Sequence, residues 1–434
     1  MSKDKLIPEL RFPEFKNDEE WKESVLGSVA EIKGRIGYRG YTIEDIVDKG
    51  KGAITLSPSN FHENGQLNFE KCTYISWDKY EESPEIQLKE GQTVLVKTAS
   101  VGKTAYVDKL PEKATVNPQI VVLKPRAIHD RFLAFTISHQ NTQNQIRNNV
   151  GAGAIPNISQ EIISKLKILL PPDEQKKEQQ KIASCLSSLD EVIAAHSQKL
   201  ELLKDYKKGL MQNLFPQEGE KVPKYRFNGF DEDGVWAETR LDRHLEITSG
   251  YAFKSEFFSE RGRKLVTPKN FTKEGRANFR KEYTKYTIED FNPKYLCKPG
   301  DLLLLLTDLT PSCELLGKPI LLRNEDGEVL LNQRIIKLEV TTNLEKEFLF
   351  QFFLTSDFHR RVKSTASGTT VRHSSNTIIH ETTLLIPRNP YEQKMIASCL
   401  SNLDELIAAQ SQKIEQLQNH KKGLLQRVFP KIKY

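Results

Sequence analysis

The stretch Ser100-Val101-Gly102-Lys103-Thr104 ends as a phosphate-binding loop ends, with a glycine, a lysine and a hydroxyl residue. Such a loop also needs an earlier glycine, so that backbone N–H groups can wrap the phosphate, and Lys97 stands in that place. Leu316-Gly317-Lys318-Pro319 repeats the glycine–lysine pair without the hydroxyl. Gly151-Ala152-Gly153-Ala154 is a glycine pair without the strand–turn–helix context of a dinucleotide or methyl-donor site. Pro172-Asp173-Glu174-Gln175-Lys176 has the look of a nuclease signature, but it opens a helix, where acidic residues favour the dipole. Asn292-Pro293-Lys294-Tyr295 lacks the second proline of an adenine-methylating Asn-Pro-Pro-aromatic motif. The histidines form no His-x-x-x-His pair, and the five scattered cysteines form no Cys-x-x-Cys. No catalytic constellation, nucleotide site or metal site emerges.

Other residues are suited to binding rather than reaction. Between Arg261 and Tyr286 stand Arg261, Arg263, Lys264, Lys269, Lys273, Arg276, Arg280, Lys281 and Lys285, with Phe271, Phe279, Tyr283 and Tyr286 interleaved. Only Glu274 and Glu282 oppose them. Basic side chains neutralise phosphates, and Arg, Asn and Gln also read base edges. A solvated basic loop is the plainer alternative. An earlier stretch is less basic and offers Asn60, His62, Asn64 and Gln66 as polar readers. The net charge of +6 tolerates a polyanion without demanding one.

The elements that must position these residues come from an internal repeat. Ile182–Pro216 and Ile396–Pro430 match at 24 of 35 positions, at an offset of 214 residues and without a gap. The same offset recurs faintly elsewhere. Arg11, Phe12, Phe15 and Trp21 correspond to Arg226, Phe227, Phe230 and Trp236. Asn60-Phe61 corresponds to Asn270-Phe271, Thr98 to Thr307, Gly102-Lys103 to Gly317-Lys318, and Gly153 to Gly368. Two near-copies therefore do one job, and two divergent units do related but different jobs. The divergent units alternate short β-rich runs with turns: Thr93–Lys97, Ala105–Val107 and Ile120–Leu123, then Leu302–Leu306, Ile320–Leu322 and Ile335–Val340.

The near-copies carry a heptad seam. It runs through Ile182, Leu186, Leu189, Ile193, His196, Leu200 and Leu203, and again through Ile396, Leu400, Leu403, Ile407, Gln410, Ile414 and Leu417. About 35 helical residues make a rod of roughly 50 Å. Each helix would expose its seam unless it paired with its duplicate, and an antiparallel pair would send the divergent units to opposite ends. His196 and Gln410 then either meet near the pseudo-two-fold axis or point to solvent. Lys207 and Lys421 interrupt the seam at equivalent positions. Ala183, Ser187, Ala194 and Ser197, with Ala397, Ser401, Ala408 and Ser411, read as an outer face open to another protein's helices or to solvent. Asn389-Pro390-Tyr391-Glu392 reads as an N-cap, a proline at N1 and a glutamate at N3.

With Leu10-Arg11-Phe12-Pro13-Glu14-Phe15 and Tyr225-Arg226-Phe227-Asn228-Gly229-Phe230 opening the halves, the whole chain resembles the specificity subunit of type I restriction-modification enzymes. The helix ends of the Glu-Gln…Ile-Ala…Leu-Asp…Lys-Lys-Gly-Leu…Phe-Pro kind carry the resemblance. It implies an α+β chain with a pseudo-two-fold internal repeat: two α/β target-recognition domains separated by two long helices that form an antiparallel coiled coil. The boundaries are 1–171 and 217–387 for the recognition domains, and 172–216 and 388–434 for the helices.

The resemblance further implies a non-catalytic subunit whose domains each read half of a bipartite double-stranded DNA site. The helices would set half-site spacing and dock two methyltransferase subunits. The chain itself would hold no cofactor; S-adenosylmethionine belongs to the methyltransferase, and ATP and Mg to restriction subunits, two where present. DNA-facing candidates are Asn60, His62, Asn64, Lys97, Thr98, Ser100 and Lys103 in the first domain. In the second they are Arg261, Arg263, Lys269, Asn270, Lys273, Arg276, Arg280, Lys281, Thr307, Lys318 and Arg372. The scattered cysteines, and the lack of an apolar run long enough to cross a bilayer, lead us to expect a cytoplasmic protein without membrane partners. A stand-alone DNA-binding regulator and a self-contained nuclease or methyltransferase are the rival readings.

Overall fold

A computed structural model describes residues 5–36, 40–62, 64–151, 153–172, 176–308, 312–368 and 371–431. Ala152 of the glycine pair and Asp173–Gln175 of the nuclease-like stretch lie outside the described residues. The chain folds as two compact units, Met1–His196 with Lys413–Tyr434, and Ser197–Gln412.

Each unit is built on an apolar run that becomes a strand buried on both faces. In the first, an antiparallel sheet has the order Ala30–Gly34, Ile120–Pro125, β1 (Thr93–Val96) and β2 (Thr104–Tyr106). Successive side chains of a strand point to opposite faces. Accordingly Leu95 joins one core with Val121 and Leu123, while Val94 and Val96 join another with Ile54 and Ile120. A second sheet of Ile46–Val47, Thr73–Ser76, Gly52–Leu56 and Ala114–Val116 closes the latter core. Helices α1 (Asp130–Ser138) and α2 (Gln140–Asn148) cover the former.

The second unit repeats this plan. Its sheet order is Leu245–Ser249, Ile335–Val340, β3 (Leu302–Leu305) and β4 (Pro319–Leu321). Leu302 and Leu304 face a core with Phe348 and Phe353, and Leu303 and Leu305 face one with Val266 and Val329. The strands read from sequence are thus present, within a residue or two at their ends.

The near-copies are helices α3 (Lys177–Leu214) and α6 (Pro390–Val428); between them lie α4 (Lys346–Leu354) and α5 (Ser356–Ser364). Each unit holds one end of both long helices. In the second unit Lys207 meets Asp404, and Leu214, further along α3, shares a core with Ile396, further back on α6. In the first unit Lys421 is hydrogen-bonded to Asp190, and Val428 shares a core with Ile182. Advancing along one helix retreats along the other, so within each unit the pairing is antiparallel. Ile193, Leu403, Ile407 and Gln410 are buried, and Leu189, His196, Leu200, Leu203, Ile414 and Leu417 are half-buried. Burial of Gln410 removes the reading in which both polar seam residues face solvent.

Three expectations about the helices need correction. Lys207 and Lys421 are not mere interruptions of the seam. Lys207 Nζ lies 2.7 and 2.8 Å from the two oxygens of buried Asp404, which also accepts from Gln351 Nε2 at 3.0 Å. Ala183 and Ala397 are not on an outer face; both are buried in the unit cores, because the globular parts pack against the ends of the helices there. Asn389 caps the start of α6, accepting from Tyr391 N at 3.1 Å, and Pro390 is its first residue, but the carboxylate of Glu392 at N3 is used elsewhere. It takes a bidentate ion pair from Arg226, both bonds 2.8 Å, and Glu178 takes the same pair from Arg11.

Those pairs explain the opening motif of each half. The neighbouring glutamines act too: Gln179 Oε1 accepts from the backbone of His129, and Gln393 Oε1 from that of Glu345, one residue before α1 and α4. Trp21 sits 5.9 Å from Phe132 and 5.5 Å from Phe429, ring centre to ring centre. Trp236 sits 5.8 Å from Phe348 and 6.3 Å from Phe215. Each globular part is therefore clamped between the start of one long helix and the Phe-Pro end of the other.

His139 stacks on Phe429 at 4.7 Å, and burial pulls its pKa from about 6.5 down to about 4. The folded state then holds the ring neutral while the unfolded chain protonates it below pH 6.5. Stability from this group is complete above that pH and is lost as pH falls toward 4. The loss should reach about 3 kcal/mol. Chemical denaturation of the first unit at pH 7 and pH 4 should show it, and His139→Asn should remove that component of the pH dependence.

Candidate nucleic-acid interface

In both units one strand end, one tight turn and one returning loop converge. After β1 the chain turns through Ala99, at a φ of +65°, and Gly102, at +96°, into β2. The Gly102 amide donates to Val96 O at 2.9 Å, and a Cβ there would lie 2.8 Å from Gln143 Oε1 on α2. Glycine is thus demanded by both φ and space. Gly317 repeats the turn: φ is +76°, its amide donates to Leu305 O at 2.8 Å, and a Cβ would lie 3.1 Å from Val362 on α5. A strand, not a helix, follows each turn, which removes the geometry of a phosphate-binding loop.

The loop leaving the helix hairpin folds over this strand end. Ile158 N donates to Lys97 O and Ala99 N to Pro156 O, at 2.9 and 2.8 Å. In the second unit Ser374 N donates to Leu306 O at 2.9 Å, and Thr307–Asp308 pairs with Arg372–His373. Thr98 Oγ1 donates to Asn157 Oδ1 at 3.0 Å, and Thr307 Oγ1 lies 3.1 Å from His373 Nδ1. Lys97, Thr98, Ser100 and Lys103 are thus brought together in the first unit, and Thr307 and Arg372 in the second, where Lys318 joins the strand end through its backbone, its carbonyl accepting from Leu305 N at 3.1 Å. Asn157 and His373 belong with them. Sequence reading missed both, because the loops that carry them align only once the ladder is seen.

Lys318 is half-buried, its ammonium makes no ion pair among the described residues, and burial lowers its pKa, opposed by Glu274 and reinforced by Lys207 and Lys273. It lines a cavity of about 1190 Å³ in the second unit with Lys207, Met211, Phe215, Phe352 and Leu384. In the first unit the hollow beside Phe429 holds about 10 Å³.

The second cluster of candidates divides. Asn60 and Asn270 are buried, and their amides are spent inside the loop. Asn60 Oδ1 accepts from the Ser57 backbone at 2.8 Å while Nδ2 donates to Asn68 O and Lys71 O at 3.0 and 3.2 Å. Asn270 makes the equivalent bonds to Thr267, Asn278 and Tyr283. Their recurrence reflects a loop that needs an internal clasp, so neither side chain is placed to read a base. Arg276 is half-buried and donates to Asp404 O on α6 at 3.3 Å, which ties the loop to the helix. Burial lowers the Arg276 pKa.

The rest of this cluster is exposed. Lys273 pairs with Glu314 at 2.6 Å and Arg263 with Glu328 at 3.2 Å. His62, Asn64, Arg261, Lys269, Arg280 and Lys281 lie at the surface. Asn292 caps the short turn Pro293–Tyr295, donor Lys294 N at 3.1 Å, which accounts for its motif structurally. Among the described residues no cluster of His, Cys, Asp and Glu could hold a metal, and no helix is long and apolar enough to cross a membrane.

Two copies of one domain model, the type I restriction modification DNA specificity domain, match residues 18–205 and 235–419. The chain belongs to that family. It is similar to the MjaVIII type I restriction enzyme specificity subunit of Methanocaldococcus jannaschii, 26% identical over 353 residues, covering 79% of each chain. It is also similar to the putative MjaX specificity subunit of that organism, 23% identical, covering 94% of this chain and 92% of the other. A crystal structure of the type I S subunit from M. genitalium shares the fold, with a TM-score of 0.61, 17% identity and coverage of 99% and 100%. A chain from a structure of type I restriction-modification complex assembly and conformational transition aligns with a TM-score of 0.51 at 16% identity. Members of this family are DNA-recognition subunits, not catalysts, and they act within type I restriction-modification assemblies together with other subunits.

Proposed function

We propose that each unit reads one half of a bipartite double-stranded DNA site, and that α3 and α6 set the separation of the halves and dock two methyltransferase subunits. One observation carries this reading. The scaffold is duplicated down to its clamps, Arg11–Glu178 and Arg226–Glu392, while the side chains at the converging strand ends differ: Lys97 against Leu306, Ala99 against Asp308, Asn157 against His373. Equal frames carrying unequal polar surfaces suit two dissimilar half-sites. S-adenosylmethionine would sit in the methyltransferase, ATP and Mg in restriction subunits, and the assembly would work in the cytoplasm.

Methylation mapping of DNA from cells carrying this chain with a type I methyltransferase tests the proposal. A bipartite motif is expected. Exchanging residues 1–171 for another family member's first domain should change one half only, and a change in both halves would refute modular reading. Lengthening α3 and α6 by four residues each, about 6 Å of helix, should widen the gap by about two base pairs.

A further inference from the structure

The two exposed residues that close the returning loops are chemically different and held at equivalent places. Asn157 O accepts from Gly151 N at 2.9 Å, and His373 exchanges both backbone bonds with Ser367, at 2.9 and 3.0 Å. The next residue in each case, Ile158 or Ser374, is bonded to the strand end at 2.9 Å. A threonine from that strand then fixes the side chain, Thr98 on Asn157 and Thr307 on His373. Backbone ladders and a threonine anchor together leave little freedom in either side chain, although both are exposed.

We infer that Asn157 and His373 are specificity-determining residues that each contact a base edge in their own half-site, with Thr98 and Thr307 as positioning residues. This rests on the half-site reading above. The Thr98 bond occupies one lone pair of Asn157 Oδ1, so the amide still offers an acceptor and two N–H donors. That is the pattern that pairs with N7 and N6 of adenine. Thr307 engages Nδ1 of His373 and leaves Nε2 as the ring's one further hydrogen-bonding position, suited to one atom of a base edge. A phosphate would use only the N–H donors of that amide and leave its acceptor idle, whereas a base edge can use both. Pre-ordering matters because an exposed side chain otherwise loses rotamer freedom on binding.

The test uses the full chain in complex with its methyltransferase, with Asn157→His, His373→Asn and His373→Gln variants, methylation mapping and competition between site libraries. Each variant should change preference at one position of its own half-site, with a loss of about 5- to 150-fold on the original site and an unchanged salt slope. Thr307→Val should broaden preference at the position that His373→Asn alters. Equal weakening on all sequences, or an unaltered motif in folded variants, overturns the inference. A wild-type complex that methylates no bipartite motif sinks the half-site reading instead.

Discussion

Glu392→Leu is expected to destabilise the second unit by about 3–5 kcal/mol. The substitution leaves the Arg226 guanidinium in a place where its side chain is 7% exposed, without the carboxylate that holds it. Gly234 O, which accepts from Arg226 at 2.9 Å, cannot neutralise the charge. The Arg226→Leu, Glu392→Leu double variant should recover most of the loss, since two apolar side chains leave no buried charge. Glu178→Leu should act in the same way on the first unit, where the Arg11 side chain is 4% exposed. Urea titrations of these three variants and of Arg226→Leu, followed by near-ultraviolet dichroism of Trp21 and Trp236, give the coupling energy of the Arg226–Glu392 pair. A single variant that costs under about 1 kcal/mol would show that these pairs do not clamp the globular parts to the helices.

Lys207→Met is expected to cost about 3–5 kcal/mol as well, for a different reason. Asp404 is buried between the long helices and would keep only the Gln351 bond. The first unit shows what else the position tolerates: Phe135 stands where Gln351 does, and the Lys421 ammonium lies 5.2 Å from its ring centre. Lys207→Met combined with Asp404→Leu and Gln351→Phe should therefore return near wild-type stability. Loss of ordered helix pairing despite full stability in that triple variant would assign the ion pair to register rather than to strength. Helicity and cross-linking between cysteines placed near positions 207 and 404 would read it.

The organisation of the chain was legible before any coordinate. A 24-of-35 match between Ile182–Pro216 and Ile396–Pro430 fixes two long helices, and their heptads fix which face is buried. Leu302–Leu305 declares a strand covered on both sides, because a strand alternates its faces and every residue there is apolar. Even the scattered pairs Arg11 and Arg226, or Trp21 and Trp236, were visible as correspondences, although not as clamps.

What each of these residues touches was decided only by tertiary structure. Arg11 meets Glu178 across more than a hundred and fifty residues of chain, and Ala183 looks inward because a globular part arrives there. Asn60 and Asn270 had the chemistry of base readers, but a polar group inside a loop must spend its hydrogen bonds locally, and folding consumed them. Composition and periodicity report local preference and burial by face. Partnership between distant side chains depends on where the backbone crosses itself. Asn157 and His373 became visible only where two loops closed over two strand ends.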